Sequence, residues 1–348
     1  MHTRVKPSRI SHAASVAAGG GIFISPETQI KMAEPLAYLN GQLAPVSQTA
    51  LPLSDLGLVM GASVTEMART FGHTCFRLGD HIDRLYRSLR HVGFPIELTP
   101  TAFHDAVLEL LRHNAPLVPQ HHDLGISMFV TAGTALIYTG AKGKATARRP
   151  TVCIHTFPLP FELWAAKYSA GQHVVTPSIR HLPPECLDPK LKSRSRMHWY
   201  LADEQARLVD PQAISLLLDR NDNITETSTA NFFIVSEGGR VITPPPRNTL
   251  QGISQLTVFD LCADLQIPCE QRDFQTYDVV NADEAFTSST PYCILPVTKV
   301  NGKPIGTGRP GPVFARLLSA WSQQVGLDIA LQMTHGAAER LAELEATA

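Results

Sequence analysis

The chain has 348 residues, 44% of them apolar and 18% charged, which is too long for one ordinary domain and too apolar for a disordered chain, so two packed domains are expected. Thirty Lys and Arg against 31 Asp and Glu leave a formal charge of −1, without the basic excess that a phosphate backbone demands, and nucleic acid is not an expected partner. No apolar run approaches the roughly 20 residues that cross a bilayer, and the cysteines at 75, 153, 186, 262, 269 and 293 form no close pair, so a cytoplasmic protein without membrane attachment is expected.

Residues 1–31 carry Arg4, Lys6 and Arg9 with no acid before Glu27, then Gly19-Gly20-Gly21. Such a composition buries no core and reads as a flexible extension. A secretory signal is the alternative, since basic residues precede the mildly apolar stretch 13–24, but glycines interrupt that stretch and no clear cleavage site follows. Met32 stands just before the first segment with ordinary domain texture, so the extension is also open to reading as an upstream start-site artefact.

A small N-terminal α/β domain is expected over 32–140. Strand-like residues 37–39 turn at Asn40-Gly41, a loop follows at 54–57, and a hairpin is expected at 71–76. Ile82, Leu85, Tyr86, Leu89 and Val92 recur at spacings of three and four, which marks an amphipathic helix with Asp80 as its cap. Thr99-Pro100 opens a second helix with Phe103, Val107, Leu110 and Leu111 on one face, and 126–131 reads as a buried strand.

The Gly- and Lys-rich stretch 141–150 has linker composition, which places a C-terminal domain at 151–348. It opens with a strand at 151–157. A helix at 194–208, strands at 213–219, 231–235 and 241–243, a helix at 254–265, strands at 284–288 and 294–300 and a helix after Pro312 follow. Turns at Asn221-Asp222-Asn223 and Glu237-Gly238-Gly239 point to largely antiparallel pairing. Fourteen histidines invite a metal, yet no HExxH occurs, and His121-His122 is an adjacent pair that one ion seldom uses on a helix; no metal is expected.

Singly, the polar residues have ordinary explanations. Lys190 and Lys192 lie in a basic cluster before a helix, Glu226 ends a short strand, Arg84 sits one turn from Arg87 and Ser88 on what spacing suggests is a wet face, and Ser254 could simply cap a helix. Their order changes the weighing. His81-Ile82-Asp83-Arg84-Leu85-Tyr86, then a lysine before a helix, Thr225-Glu226 ending a strand, Asn231-Phe232-Phe233, Leu250-Gln251-Gly252-Ile253-Ser254 opening a helix, and residues 283–290 with Pro296-Val297 beyond form an ordered series of motifs. From about Ala37 to about Gly306 the chain resembles the class IV, or fold type IV, pyridoxal-phosphate aminotransferases, a group that includes branched-chain amino acid aminotransferases, D-amino-acid aminotransferases and aminodeoxychorismate lyases.

That resemblance implies a two-domain α/β (α+β) fold, with a smaller N-terminal α/β domain and a larger C-terminal domain built on a mixed, largely antiparallel sheet or barrel. It implies pyridoxal 5′-phosphate as cofactor, an amino acid and a 2-oxo acid as substrates, and a homodimer. Counting back from Gln205-Ala206 gives the Schiff-base role to Lys192 rather than Lys190. A lysine in that role needs its charge suppressed, and the ring acts as an electron sink only while a carboxylate, here Glu226, keeps its nitrogen protonated. The phosphate would meet backbone N–H groups at Gly252, Ile253 and Ser254, with Arg84 and Thr290. Thr65, Arg196 and Ser289 are the expected substrate residues.

Substrate selection is where the chain departs from these relatives. Ser127 stands where branched-chain aminotransferases carry an arginine, and Ala132 where D-amino-acid aminotransferases carry one; Arg196 occupies a position that is an arginine in aminodeoxychorismate lyases. Transamination is the reading favoured by the Gly61–Glu66 stretch and the Gly-Ile-Ser helix start, with a pyruvate-eliminating lyase and a non-catalytic cofactor-binding homologue as alternatives. A chain beginning at Met32 is expected to match the full chain in melting temperature and cofactor content, because the extension lacks apolar periodicity; loss of either on deletion would show that the extension packs on the rest.

Overall fold

The structure, a computed structural model, describes residues 34–138 and 149–347. The expected extension at 1–31 and most of the 141–150 stretch lie outside the described residues. From Glu34 onward the chain forms one compact unit around two sheets.

The first sheet comes from β1 (Leu36–Leu39), β2 (Gln42–Pro45), helix α1 (Leu56–Val59), β3 (Ser63–Phe71), β4 (Thr74–Cys75), α2 (Leu78–Val92), α3 (Pro100–Asn114), β5 (Leu124–Thr131) and β6 (Thr151–Pro158). Its order is β2-β1-β6-β5-β3-β4, antiparallel throughout. The Asn40-Gly41 turn adopts the left-handed backbone at both residues, as a two-residue hairpin requires. Ile82, Leu85 and Leu89 of α2 and Phe103, Val107 and Leu110 of α3 bury against Val64 and Ala68 of β3 and Ile126, Met128 and Val130 of β5. The helix α2 begins at Leu78, so Asp80 lies in its first turn, paired with Arg77, rather than at the cap.

One sequence expectation changes here. The strand at 151–157 is β6, hydrogen-bonded to β1 on one side and β5 on the other, so it belongs to the first sheet and does not open the second domain. A linker-like segment before a strand says nothing about which partners that strand finds. The stretch from Ser63 to Phe71 is a nine-residue strand although its sequence does not alternate, because both of its faces are covered.

The second sheet follows: α4 (Lys167–Ala170), β7 (Gln172–Val175), α5 (Met197–Val209), β8 (Ile214–Leu218), β9 (Ile224–Thr227), β10 (Asn231–Ser236), β11 (Arg240–Thr243), α6 (Ile253–Asp264), β12 (Cys269–Gln271), α7 (Thr276–Val280), β13 (Glu284–Ser289), β14 (Cys293–Val300), β15 (Lys303–Pro304), α8 (Pro312–Val325) and α9 (Ile329–Thr347). Strands β10, β13, β14, β7, β8 and β9 pair in that order, and the Asn231 to Glu226 pairing of β10 with β9 closes them into a barrel. β7 is parallel to both neighbours and the other ring pairings are antiparallel. Val174, Leu216, Ile224, Phe232, Ile234, Val297 and Val300 belong to one core cluster. A second cluster packs Phe233 and Phe286 against α6, α8 and α9 through Val258, Leu317, Trp321 and Met333.

A buried ion pair ties the sheets together. Arg69 on β3 meets Asp123 at 3.2 Å with both side chains at 1% exposure or less, and it donates at 2.9 Å to the Pro291 carbonyl between β13 and β14. Asp123 also accepts from Thr70 and from Gln332 of α9, each at 2.7 Å. Asp123→Ala should therefore cost about 3–5 kcal/mol in urea unfolding, since it strands a buried guanidinium. A loss below about 1 kcal/mol would mean that water reaches Arg69 once its partner is gone.

Candidate active site

Lys192 sits in an extended segment laid antiparallel along the start of β3. The Thr65 amide donates to the Lys192 carbonyl at 2.8 Å, the Arg194 amide donates to the Ser63 carbonyl at 3.1 Å, and Val64 bridges Ser193. The first sheet thus fixes the backbone of the lysine while its side chain enters a cavity whose other walls come from the barrel. Lys192, Arg84, Glu226, Gly252, Ile253, Ser254, Arg196, Ser289 and Thr290 all line this cavity. Burial, aided by the charges of Arg84 and Arg196 and opposed by Glu66 and Glu226, brings the Lys192 amine down to about 8. Lys190 is exposed, pairs with Asp188 at 3.5 Å and does not line the cavity.

Arg84 is buried, not on the wet face that helical spacing suggested. Its Nε and Nη2 donate to the two oxygens of Glu66 at 2.7 and 2.8 Å, and Nη1 donates to the Gln251 carbonyl at 2.6 Å. His81 reaches the same carboxylate at 2.9 Å. Burial alone pushes the Glu66 carboxyl up, but Arg84 and His81 outweigh it and hold the group at about 2. Sequence reading missed Glu66. One acid in a strand without alternation carries no signal until Arg84 is seen to turn inward.

Glu226 stands at the barrel closure. Its Oε2 accepts from the Leu250 amide at 3.2 Å and from Asn231 Nδ2 at 3.3 Å, and Asn231 also donates to the Leu250 carbonyl at 2.8 Å. His181 Nε2 lies 3.6 Å from Oε1. This arrangement delivers the chain to the start of α6, where Gly252 is the N-cap and no side chain caps the helix. A Cβ on Gly252 would fall 2.0 Å from Asn231 Oδ1, so the approach demands glycine. The free N–H groups of this 12-residue helix and the positive end of its dipole make an anion site. Ser288 Oγ, buried in the same wall, has no hydrogen-bond partner among the described residues.

The substrate residues expected from sequence fall differently. Arg196 is the N-cap of α5, which begins at Met197, so it is not one helical turn from Lys192 as a helix from 194 would have made it. It still lines the cavity, donating to the Ser228 carbonyl and lying 5.7 Å from the Trp199 ring. Ser289 donates to the Thr229 carbonyl at 2.7 Å. Thr65 does not line the cavity; its hydroxyl donates to the Met128 carbonyl at 3.1 Å and its amide holds the Lys192 segment. Arg194 lies 4.7 Å over the Phe129 ring and donates to Ser127 Oγ at 3.0 Å. A guanidinium therefore stands beside Ser127 on β5.

A desolvated lysine, a carboxylate tied to the backbone and an uncapped helix start stand together in one cavity. The family model described as Amino-transferase class IV matches residues 63–300. A Methanocaldococcus jannaschii protein assigned as a branched-chain-amino-acid aminotransferase is 30% identical over 280 residues, covering 80% of this chain and 93% of its own length. D-alanine aminotransferase of Bacillus licheniformis is 26% identical over 286 residues, 82% of this chain and 95% of that protein. The branched-chain amino acid aminotransferase of Escherichia coli superposes with a TM-score of 0.76 at 24% identity, covering 84% of this chain and 94% of that one. The PLP form of the branched-chain amino acid aminotransferase from Thermobaculum terrenum gives a TM-score of 0.73 at 22% identity, covering 85% of this chain and 95% of that one. This chain belongs to the class IV aminotransferases, and it has the fold that the resemblance implied.

The depressed Lys192 amine gives a direct test. With the cofactor removed, its neutral, nucleophilic form is half populated near pH 8, so reductive alkylation by a small aldehyde, mapped by peptide analysis, should rise through a midpoint near 8 at Lys192. A midpoint near the ordinary lysine value of 10.5 would place the amine in water.

Proposed function

We propose that this chain is a pyridoxal 5′-phosphate-dependent aminotransferase that moves an amino group between a branched-chain or related amino acid and a 2-oxo acid. The observation that carries this reading is the convergence of the Lys192 amine, the Glu226 carboxylate and the uncapped start of α6 on one cavity. Lys192 would hold the cofactor covalently, Glu226 would face its ring nitrogen, and Ile253, Ser254 and Thr290 would hold its phosphate. The fit is supported by Gly252, where a side chain would close the approach, and by the unpartnered Ser288 hydroxyl.

The cofactor supplies an aldehyde for amine exchange and a ring that accepts an electron pair. Lys192 Nζ would move a proton to and from the substrate α carbon, a task suited to an amine near 8. Glu226 Oε2, held by Leu250 and Asn231, keeps a proton on the ring nitrogen. Arg84 is occupied by Glu66 and Gln251, so its part is to hold the turn into α6 and to lend positive charge. Arg196 receives the substrate carboxylate, because a carboxylate entering a partly dry cavity needs a cation or several aimed donors. Arg194 adds a second cation beside Ser127 and Phe129.

A homodimer is part of this reading. Leu58, Met60, Met197 and Tyr200 are exposed on the segments joined where Ser195 Oγ donates to the Gly61 carbonyl at 2.7 Å, and a second copy would cover them. A cytoplasmic setting is supported by six cysteines that are all free thiols. No helix among the described residues is long and apolar enough to cross a membrane.

The test is a panel of amino donors offered with 2-oxoglutarate or pyruvate, with aminodeoxychorismate included, read as oxo-acid formation. Branched-chain donors should be accepted, and Lys192→Ala should abolish turnover while Lys190→Ala leaves it nearly unchanged. Pyruvate released from aminodeoxychorismate without an acceptor would move the protein to the lyases. Arg196→Met should raise the KM for amino acids at least tenfold, roughly 1.4 kcal/mol, while sparing an amine that lacks a carboxylate. Equal losses for both amines would take Arg196 out of the substrate subsite.

A further inference from the structure

Away from the Lys192 cavity, three metal-ligating side chains from two segments converge. His121 and His122 lie on the turn that leads into β5, not on a helix, and Glu339 lies on α9. The Nε2 atoms of both imidazoles meet the same carboxylate oxygen, Glu339 Oε2, with the His122 contact at 3.1 Å. The three donor atoms all fall within 4.8 Å of one another. On a helix, adjacent histidines would diverge; the turn sets the two rings edge to face with centroids 4.8 Å apart.

The backbone beneath them is held from several sides. The His122 carbonyl is 2.9 Å from His73 Nε2, the His121 carbonyl accepts from Gln332 Nε2 at 3.3 Å, and the next residue is the buried Asp123 that pairs with Arg69. The helix comes close because Gly336 faces this turn: a Cβ there would lie 2.4 Å from the Phe161 ring and 3.6 Å from His122 Nε2. Gln332, Gly336 and Glu339 thus form one stripe along α9, which aims the Glu339 carboxylate at the two rings. The backbone that carries the two imidazoles is thus fixed before any ion binds.

We propose that His121, His122 and Glu339 form a divalent-metal clamp of the zinc type, in which the ion pins α9 to the turn that feeds β5. Two imidazole nitrogens and a carboxylate oxygen suit Zn²⁺ and its first-row neighbours and suit Mg²⁺ or Ca²⁺ poorly. With His121 and Glu339 both about half exposed, water completes the coordination. None of the three residues lines the Lys192 cavity, so the role is structural.

The test uses the untagged, cofactor-saturated full chain stripped of metal and titrated with ZnCl2, followed by calorimetry, thermal melting and X-ray absorption. The expected result is one zinc per chain, a raised melting temperature, and a coordination shell of two imidazole nitrogens with oxygen and no sulfur. His121→Ala and Glu339→Gln should each weaken binding at least tenfold and remove the thermal shift, with the content of bound cofactor unchanged in both. Absence of binding, or binding untouched by either substitution, overturns the clamp and leaves the cluster as a pair of histidine to carboxylate contacts. Sulfur in the shell would assign the ion to cysteines such as the exposed Cys186 and overturn it equally.

Discussion

The bond between the Glu66 carboxylate and Arg84 is the interaction on which the site depends. Glu66 is fully buried on β3, and a carboxylate there is tolerable only because Arg84 grips both its oxygens and His81 adds a third contact. With two of its nitrogens committed to Glu66, Arg84 has Nη1 left to hold the Gln251 carbonyl, which sets the last residues before α6. The neighbouring residue, Thr65, faces the other way and holds the Lys192 carbonyl through its amide. Two consecutive residues of one strand therefore position the lysine and the uncapped start of α6, which come from segments far apart in sequence.

The barrel contributes its part at the point where it closes. Pairing Asn231 with Glu226 joins the ring of strands, and the Asn231 amide then reaches both the Glu226 carboxylate and the Leu250 carbonyl. Closure, carboxylate placement and the start of α6 are one set of hydrogen bonds. The electrostatics follow from the same geometry: Lys192 is flanked by two guanidiniums that favour its neutral form and two carboxylates that favour its charge, and burial decides for the neutral form. An amine poised between proton donor and nucleophile is what amine exchange requires.

The strand β5 carries no charged side chain of its own, and a guanidinium reaches it from another segment. Ser127 leaves the strand without an arginine, and the segment carrying Lys192 sends Arg194 to the Ser127 hydroxyl and the Phe129 face. The turn at His121-His122 makes a similar point, since whether two adjacent histidines converge depends on the backbone that carries them.

Much of this protein was legible along the chain. The helices at α2 and α3 follow from apolar spacing and the Thr99-Pro100 start, the hairpins from Asn40-Gly41 and Gly72-His73, and the family from an ordered series of motifs, because these are local patterns that hydrogen bonding within a few residues enforces. What lies across sheets was not legible. The partnership of Glu66 with Arg84, the membership of β6 in the first sheet, the extended rather than helical path from Lys192 to Arg196, and the delivery of Arg194 to Ser127 all depend on which strand meets which. The amino-acid order determined the parts and their local conformations. Only the tertiary structure decided which charges face one another, because a buried ion pair is set by through-space distance and desolvation, and neither is encoded in spacing along the chain.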